Sequence, residues 1–279
     1  MEIIALRFAG LNWFDAVCHT FSTVATGGFS PHNGSIGSFD NVYIESIIIL
    51  FMFLGGVNFA LHFQLFRRNF SVLFKNPEFK AYCTMLVMGT LFVTWGLTQV
   101  SGNVDASQAF RSAAFTVVSI NTTTGFVTDD FNMWPDYLKL FMVVIMMVGG
   151  CSGSTSGSFK VIRFIILLKI IMRELKLLTH PRAIFHVKVG NKTIDADDLS
   201  NVAALTFLFI GFSALGGILL SAMGVDLTTA MTATVASLFN IGPGLGDVGA
   251  MGNFSEIPAL GKGILILFML LGRLEIYGV

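Results

Sequence analysis

Residues 107–150 read SQAFRSAAFTVVSINTTTGFVTDDFNMWPDYLKLFMVVIMMVGG. The first part, 107–119, is an amphipathic segment of about a dozen residues, too short to cross a bilayer whose hydrocarbon core takes about 20 helical residues. It runs into Thr122-Thr123-Thr124-Gly125-Phe126, after which a long apolar segment ends in Val144-Ile145-Met146-Met147-Val148-Gly149-Gly150. Short helix, Gly/Thr loop, long helix reads as a re-entrant unit rather than as a simple span.

The unit recurs. A short segment at 13–23 leads into Ala25-Thr26-Gly27-Gly28-Phe29 and then into an apolar ending at Leu50-Phe51-Met52-Phe53-Leu54-Gly55-Gly56. A third, 227–239, leads into Ile241-Gly242-Pro243-Gly244-Leu245 and ends at Leu267-Phe268-Met269-Leu270-Leu271-Gly272-Arg273. Superposing Gly28, Gly125 and Gly244 gives periods of 97 and 119 residues. That is too long for a solenoid repeat and suits a repeated membrane subdomain. Taken singly, each loop reads as an ordinary turn between core helices; three in register, each with the same apolar ending, count against that reading.

Composition agrees. Apolar residues make up 54% of the chain and charged residues 12%, with a mean hydropathy of +0.75, values outside the range of soluble domains. Candidate spans lie at 43–66, 82–100, 137–172, 202–223 and from 260 to the end; the third is interrupted by Gly149, Gly150, Gly153 and Gly157 with interleaved serines. The apolar stub at 1–9 is too short for a signal segment and reads as the tail of a longer helix. Cys18, Cys83 and Cys151 are scattered and read as free thiols. Net charge is zero, which gives no indication of nucleic acid as a partner.

Charge position orients the units. The loop-bearing segments 10–43, 101–136 and 221–261 carry Asp15, Asp40, Asp105, Asp129, Asp130, Asp136, Asp226, Asp247 and Glu256 against Arg111. The opposite connections carry Arg67, Arg68, Lys75 and Lys80, and Lys160, Arg163, Lys169, Arg173, Lys176, Arg182, Lys188 and Lys192. The positive-inside rule makes those basic connections cytoplasmic and turns the Gly/Thr loops outward.

Irregular backbone at membrane depth survives only where it lines water or is buried in protein, so three related loops belong around one axis. Gly27, Gly28, Gly125, Gly242 and Gly244 free the backbone to turn successive carbonyls the same way. Thr26 and Thr122, Thr123 and Thr124 add hydroxyl oxygens. A ring of neutral oxygens can replace the hydration shell of a monovalent cation such as potassium, and the lack of a carboxylate within the loops disfavours a divalent ion. The C-terminal ends of the short helices, at the loops, favour a cation there, and the outer acidic residues concentrate it. The break containing Gly149, Gly150, Ser152, Gly153, Ser154, Thr155, Ser156, Gly157 and Ser158 reads as a hinge facing a cavity. A phosphate-binding loop is excluded because no Gly-Lys-Ser/Thr follows the glycines, and a kink packed against a neighbouring helix is the plainer alternative. Arg273 and Glu275 are ionisable groups in an apolar span, where they face a cavity or a partner, or a frayed helix end. Lys160 either approaches that cavity or snorkels to the interface. His19, His32 and His62 read as packing or interfacial residues. No catalytic set stands out, so no enzyme activity is expected.

The runs Ser22-Thr23-Val24-Ala25-Thr26-Gly27-Gly28-Phe29, Asn121-Thr122-Thr123-Thr124-Gly125-Phe126 and Asn240-Ile241-Gly242-Pro243-Gly244, with the Gly/Ser break, resemble the second, third and fourth pore repeats of the Trk/Ktr/HKT superfamily of potassium transporters. The resemblance implies an all-α membrane protein of repeated helix, pore helix, loop and helix units around a pseudo-fourfold pore, with the first repeat missing. The second repeat would occupy 1–80, the third 81–192 and the fourth 193–279. It implies a potassium filter at those three runs, K+ as the transported ion without a further cofactor, and a Gly149 to Ser158 loop that gates the inner pore. Arg273 would oppose cations below the filter. It further implies a homodimer among membrane lipids in the bacterial inner membrane, with a cytosolic nucleotide-binding regulatory subunit of the TrkA type. The polar connection 180–198 is either a solvated linker or its docking site. With three of four walls, the chain alone is not expected to conduct. A sodium- or proton-coupled symporter on the same scaffold, and a non-conducting scaffold or regulatory subunit, are the competing functions.

Overall fold

The computed structural model describes residues 1–100, 105–183, 185–190 and 192–274, so Glu275 lies outside the described residues. In chain order the helices are α1 (Glu2–Phe8), α2 (Trp13–Val24), α3 (Val42–Gly55), α4 (Phe59–Phe66), α5 (Ser71–Lys75), α6 (Pro77–Val100), α7 (Ala106–Asn121), α8 (Asp136–Met146), α9 (Val161–Thr179), α10 (Ala196–Ala222), α11 (Leu227–Leu238) and α12 (Ala259–Arg273). They group into three triplets, α1-α2-α3, α6-α7-α8 and α10-α11-α12, in which the short middle helix packs on both neighbours.

The short helices start where the sequence supplies a cap. Asn12 Oδ1 accepts the Asp15 amide at 2.7 Å, and the Asp226 carboxylate accepts the amides of Thr228 and Thr229 at 3.0 and 3.4 Å. Each cap satisfies donors that a helix N-terminus leaves unpaired. Two of the short helices are deeply enclosed: residues 115–121 of α7 and, apart from Met231, 229–238 of α11 are buried. Their threonines survive burial by donating to the preceding turn, as Thr232 does to the Thr228 carbonyl and Thr234 to that of Ala230.

Around them stand longer, greasier helices. α6 and α10 are long and apolar enough to cross a membrane, and at 1.5 Å per residue the 27 residues of α10 reach about 40 Å. Phe207, Ile210 and Ile218 of α10 and Val87, Met88 and Leu91 of α6 are exposed, as side chains facing lipid should be. The expected span 43–66 is not one straight helix. α3 and α4 meet at a bend of 102°, because Gly55 and Gly56 end α3 and Asn58 caps α4 by accepting the Ala60 amide at 2.7 Å. The expected long span 137–172 is α8 and α9 with the Gly/Ser segment between them, and the polar connection contains a hairpin not anticipated from sequence, β1 (Lys188–Val189) paired antiparallel with β2 (Lys192–Thr193).

Gly216 shows why the third triplet closes. A Cβ there would overlap the Phe268 ring of α12 and the Thr234 side chain of α11, so the three helices meet only where no side chain intervenes. Gly216→Ile should lower stability by about 1–3 kcal/mol through overpacking, read as a fall in the detergent-solubilised melting midpoint. Gly211→Ala, on the same helix with nothing within 4 Å, should leave it unchanged or slightly raised.

Candidate ion pathway

Each short helix hands its chain to a loop of the same conformation. Thr26 and Gly28 have φ of 51° and 69°, Thr123 and Gly125 of 57° and 81°, and Asn240 and Gly242 of 56° and 108°. The hydrogen bonds match too. The amides of Ala25, Thr122 and Phe239 go to Phe21, Val118 and Val235; those of Thr26, Thr123 and Asn240 to Thr23, Ile120 and Ser237; those of Gly27, Thr124 and Ile241 to Ser22, Ser119 and Ala236. This fixes the register. Gly28 and Gly125 correspond to Gly242, not to Gly244, and the second period is 117 residues rather than 119.

The correction moves several expected filter residues. Gly244 is packed against Thr232 and Val248, with its amide on the Val248 carbonyl at 2.7 Å. It and Pro243 therefore follow the repeated core of the third loop. Asn121 is the last residue of α7, and its amide group donates to the Val148 carbonyl at 2.7 Å, bracing α7 against the end of the α8 segment. Asn240, by contrast, sits at the position of Thr26 and Thr123.

The loops touch in sequence. A Cβ on Gly28 would overlap the Thr124 carbonyl oxygen, and one on Gly125 the Ile241 carbonyl oxygen, whereas Gly242 has nothing within 4 Å. Outside the loops the same order repeats: Ser35 Oγ accepts the Val127 amide at 3.2 Å, and Asn132 exchanges hydrogen bonds with Gly246 at 3.0 and 3.1 Å. Among the described residues, no hydrogen bond is donated to the carbonyl oxygens of 26–28, 123–125 or 240–242. A buried carbonyl left without a donor costs about 1–3 kcal/mol, so these oxygens call for water or a cation. The threonine hydroxyls are otherwise engaged. Thr26 Oγ1 donates to carbonyls of Ala25 and Thr155, Thr123 Oγ1 accepts the Gly157 amide at 2.6 Å, and Thr122 Oγ1 bonds the Val118 carbonyl and Thr124 Oγ1.

Those bonds bring the Gly/Ser segment directly against the loops. Thr155 meets Thr26, Gly157 meets Thr123, and a Cβ on Gly157 would sit 2.9 Å from Asn240 Cβ. One short stretch thus touches the equivalent left-handed residue of all three loops. It is held there by backbone: the Gly149 amide donates to Phe159, Cys151 to Gly56, Thr155 to Gly55 and Phe59 to Gly153. Ser154 and Ser156 bond each other at 2.7 Å, Ser158 Oγ donates to the Met146 carbonyl, and the Lys160 ammonium reaches the Ser156 carbonyl. The bent junction of α3 and α4 therefore provides the acceptors that seat this segment. Ser154, Thr155, Ser156, Gly157, Lys160, Gly272 and Arg273 line a cavity of about 220 Å3, which places Arg273 beside the segment.

Of the histidines, His19 is buried and bonds the Asp15 carbonyl and Ser30 Oγ, and His32 lies 3.1 Å from the Asp15 carboxylate. His62 bonds the Leu54 carbonyl at 2.9 Å. Among the described residues no cluster of His, Cys, Asp or Glu could hold a metal ion. Two residues escaped the sequence reading: Asn58, whose side chain packs against Gly153, and Glu78, whose carboxylate accepts the Ser152 amide at 2.7 Å. A carboxylate beginning an otherwise apolar span was the available signal for Glu78.

Repeated helix triplets, with α6 and α10 long and apolar enough to cross a membrane and irregular loops gathered together after the short helices, define a polytopic helical membrane protein. The chain belongs to the TrkH family, described as a cation transport protein, whose model matches residues 5–279. It is 41% identical over 279 residues to the Trk system potassium uptake protein TrkH of Halomonas elongata, covering 99% of this chain and 57% of that protein. Against TrkH of Escherichia coli K12 the identity is 40%, covering 98% of this chain and 56% of the relative. The crystal structure of the potassium transporter TrkH from Vibrio parahaemolyticus superposes with a TM-score of 0.93 at 37% identity, covering 99% of this chain and 59% of that one. The chain thus spans somewhat more than half the length of these relatives, which are transport proteins rather than enzymes.

Gly28→Ala and Gly125→Ala should each cost more stability than Gly242→Ala. All three pay about 1–2 kcal/mol for a side chain at positive φ, but only the first two also drive a methyl group into a neighbouring carbonyl. Denaturation midpoints of the three variants, compared in one detergent, check the ranking.

Proposed function

We propose that this chain contributes a major part of a potassium-uptake pathway across the bacterial inner membrane, in which backbone carbonyls of the three loops coordinate the ion and the Gly/Ser segment closes the path beneath them. The observation that carries the reading is the set of unclaimed carbonyls in three loops of identical backbone conformation. The C-terminal ends of α2, α7 and α11 add roughly half a negative elementary charge each at these loops. A small monovalent cation suits such neutral oxygens. The names of the relatives, potassium uptake proteins, support the same ion.

The open side of Gly242 is where a fourth loop would complete the ring, in keeping with the greater length of the relatives. Arg273 and Lys160 put positive charge in the cavity beside the Gly/Ser segment, where it opposes cation passage until the segment moves. The basic connections favour a cytoplasmic placement, and with it outward-facing loops. Homodimerisation and a TrkA-like cytosolic nucleotide-binding subunit complete the working assembly on this reading, with the hairpin connection as the docking element.

The test is a flux measurement on the complete polypeptide in liposomes. The reversal potential should follow the potassium gradient and ignore sodium and proton gradients. Gly125→Ser should cut potassium flux by about a hundredfold or more, since misplacing oxygens by about 1 Å carries penalties of that order. A reversal potential that shifts with sodium or protons would favour a symporter. Failure of the wild-type polypeptide to restore growth of a potassium-uptake-deficient strain at low potassium would favour a non-conducting scaffold.

A further inference from the structure

Glu78 is 7% exposed at the first turn of α6, a position with no part in the filter loops. Its backbone is fixed by Asn76, whose Oδ1 accepts the amides of Glu78 and Phe79 at 2.9 and 3.0 Å. Its carboxylate reaches across to the Gly/Ser segment and accepts the Ser152 amide at 2.7 Å. It also faces the Ile162 amide in the first turn of α9, whose own cap residue Lys160 supplies no side-chain acceptor, and it lies within electrostatic reach of the Lys160 ammonium. One carboxylate therefore ties the beginning of the segment at Ser152 and stands close to its exit at the start of α9. Lys160 in turn holds the Ser156 carbonyl, next to the residues that touch Thr26 and Thr123.

We propose that Glu78 is the positioning residue that holds the intramembrane segment in its occluding place, and that its release frees the segment to move. A charged acceptor is the strongest single tie available to a backbone amide, and apart from the Lys160 ammonium on the Ser156 carbonyl the segment's other ties are backbone or hydroxyl bonds to neighbours. The site of this tie also has a mechanical neighbour. The tip of the β1-β2 hairpin rests on the α6 start, since a Cβ on Gly190 would lie 3.5 Å from Pro77 Cγ. A displacement of the hairpin bears on the residue next to Glu78. The functional consequence rests on reading the segment as the gate; the positional claim does not.

Cys151, fully buried in the segment, supplies the probe. In the complete polypeptide, a charged thiol reagent is applied and modification of each cysteine is followed by mass spectrometry, with potassium efflux from liposomes measured in parallel. Glu78→Ala should speed modification of Cys151 by about tenfold or more, the worth of a hydrogen bond to a charged acceptor, with Cys18 and Cys83 unchanged, and should raise efflux. Glu78→Gln keeps an acceptor oxygen but loses the charge, so its effect should be about threefold, since neutral bonds are roughly half as strong. If Glu78→Ala fails to fold, the isosteric Glu78→Gln carries the test. An unchanged Cys151 rate in the folded variants overturns the proposal whatever the efflux. A faster Cys151 rate with unchanged efflux upholds the positioning role and overturns the reading of the segment as the gate.

Discussion

At Gly28 and Gly125 the backbone of one loop lies against a carbonyl oxygen of the next, so close that a single methyl group could not be inserted. The contact brings together oxygen atoms that accept no hydrogen bond from the described residues. Like dipoles packed in this way repel, and a membrane interior offers them little water. The arrangement is therefore stable only when the surrounding helices force it and something positive relieves it. The first condition leaves its mark in α7 and α11, whose turns next to the loops are buried, and the proposed cation is the species that would relieve the crowding.

The same constraint explains the Gly/Ser segment. Three left-handed residues that are not glycine, Thr26, Thr123 and Asn240, each cost about 1–2 kcal/mol in local strain. Bonds from the segment to Thr26 and Thr123, and close packing on Asn240, offset part of that cost. The segment stabilises the loops' shape, and on the proposed reading it also stands in the way beneath them. On that reading the closure is built from backbone bonds to flanking glycines and one buried carboxylate.

Much of this was legible in sequence. The expected short helices at 107–119 and 227–239 fall within two residues of α7 and α11, because a brief amphipathic run followed by Gly and Thr has few alternatives. The bend between α3 and α4 was hidden by apolarity that continues through it, so only Gly55, Gly56 and Asn58 carried the signal. Alignment on glycines misplaced the third loop by two residues, since its sequence offers Gly242 and Gly244 and only torsion angles separate them. The threonines were read as ligands because sequence shows which hydroxyls exist but not which carbonyls lie beside them. For Glu78 the sequence offered a carboxylate at the start of an apolar span but not its partner, Ser152, 74 residues away.

The corrected register decides which residues of the three loops are equivalent. Gly27, Thr124 and Ile241 are equivalent and share no side-chain chemistry, and in the next set, Phe29, Phe126 and Pro243, the phenyl ring does not recur in the third loop. What the three loops do share is a pattern of amide bonds and a pair of left-handed residues two apart. A site that depended on hydroxyl ligands would need the hydroxyl to recur at each wall, and at the position of Thr26 and Thr123 the third wall has Asn240. The recurring element is the carbonyl direction, which side chains set only indirectly, through the space they leave and the strain they permit. That is why glycine stands at the point of closest approach in the first two loops, Gly28 and Gly125, while the residue before it differs from loop to loop.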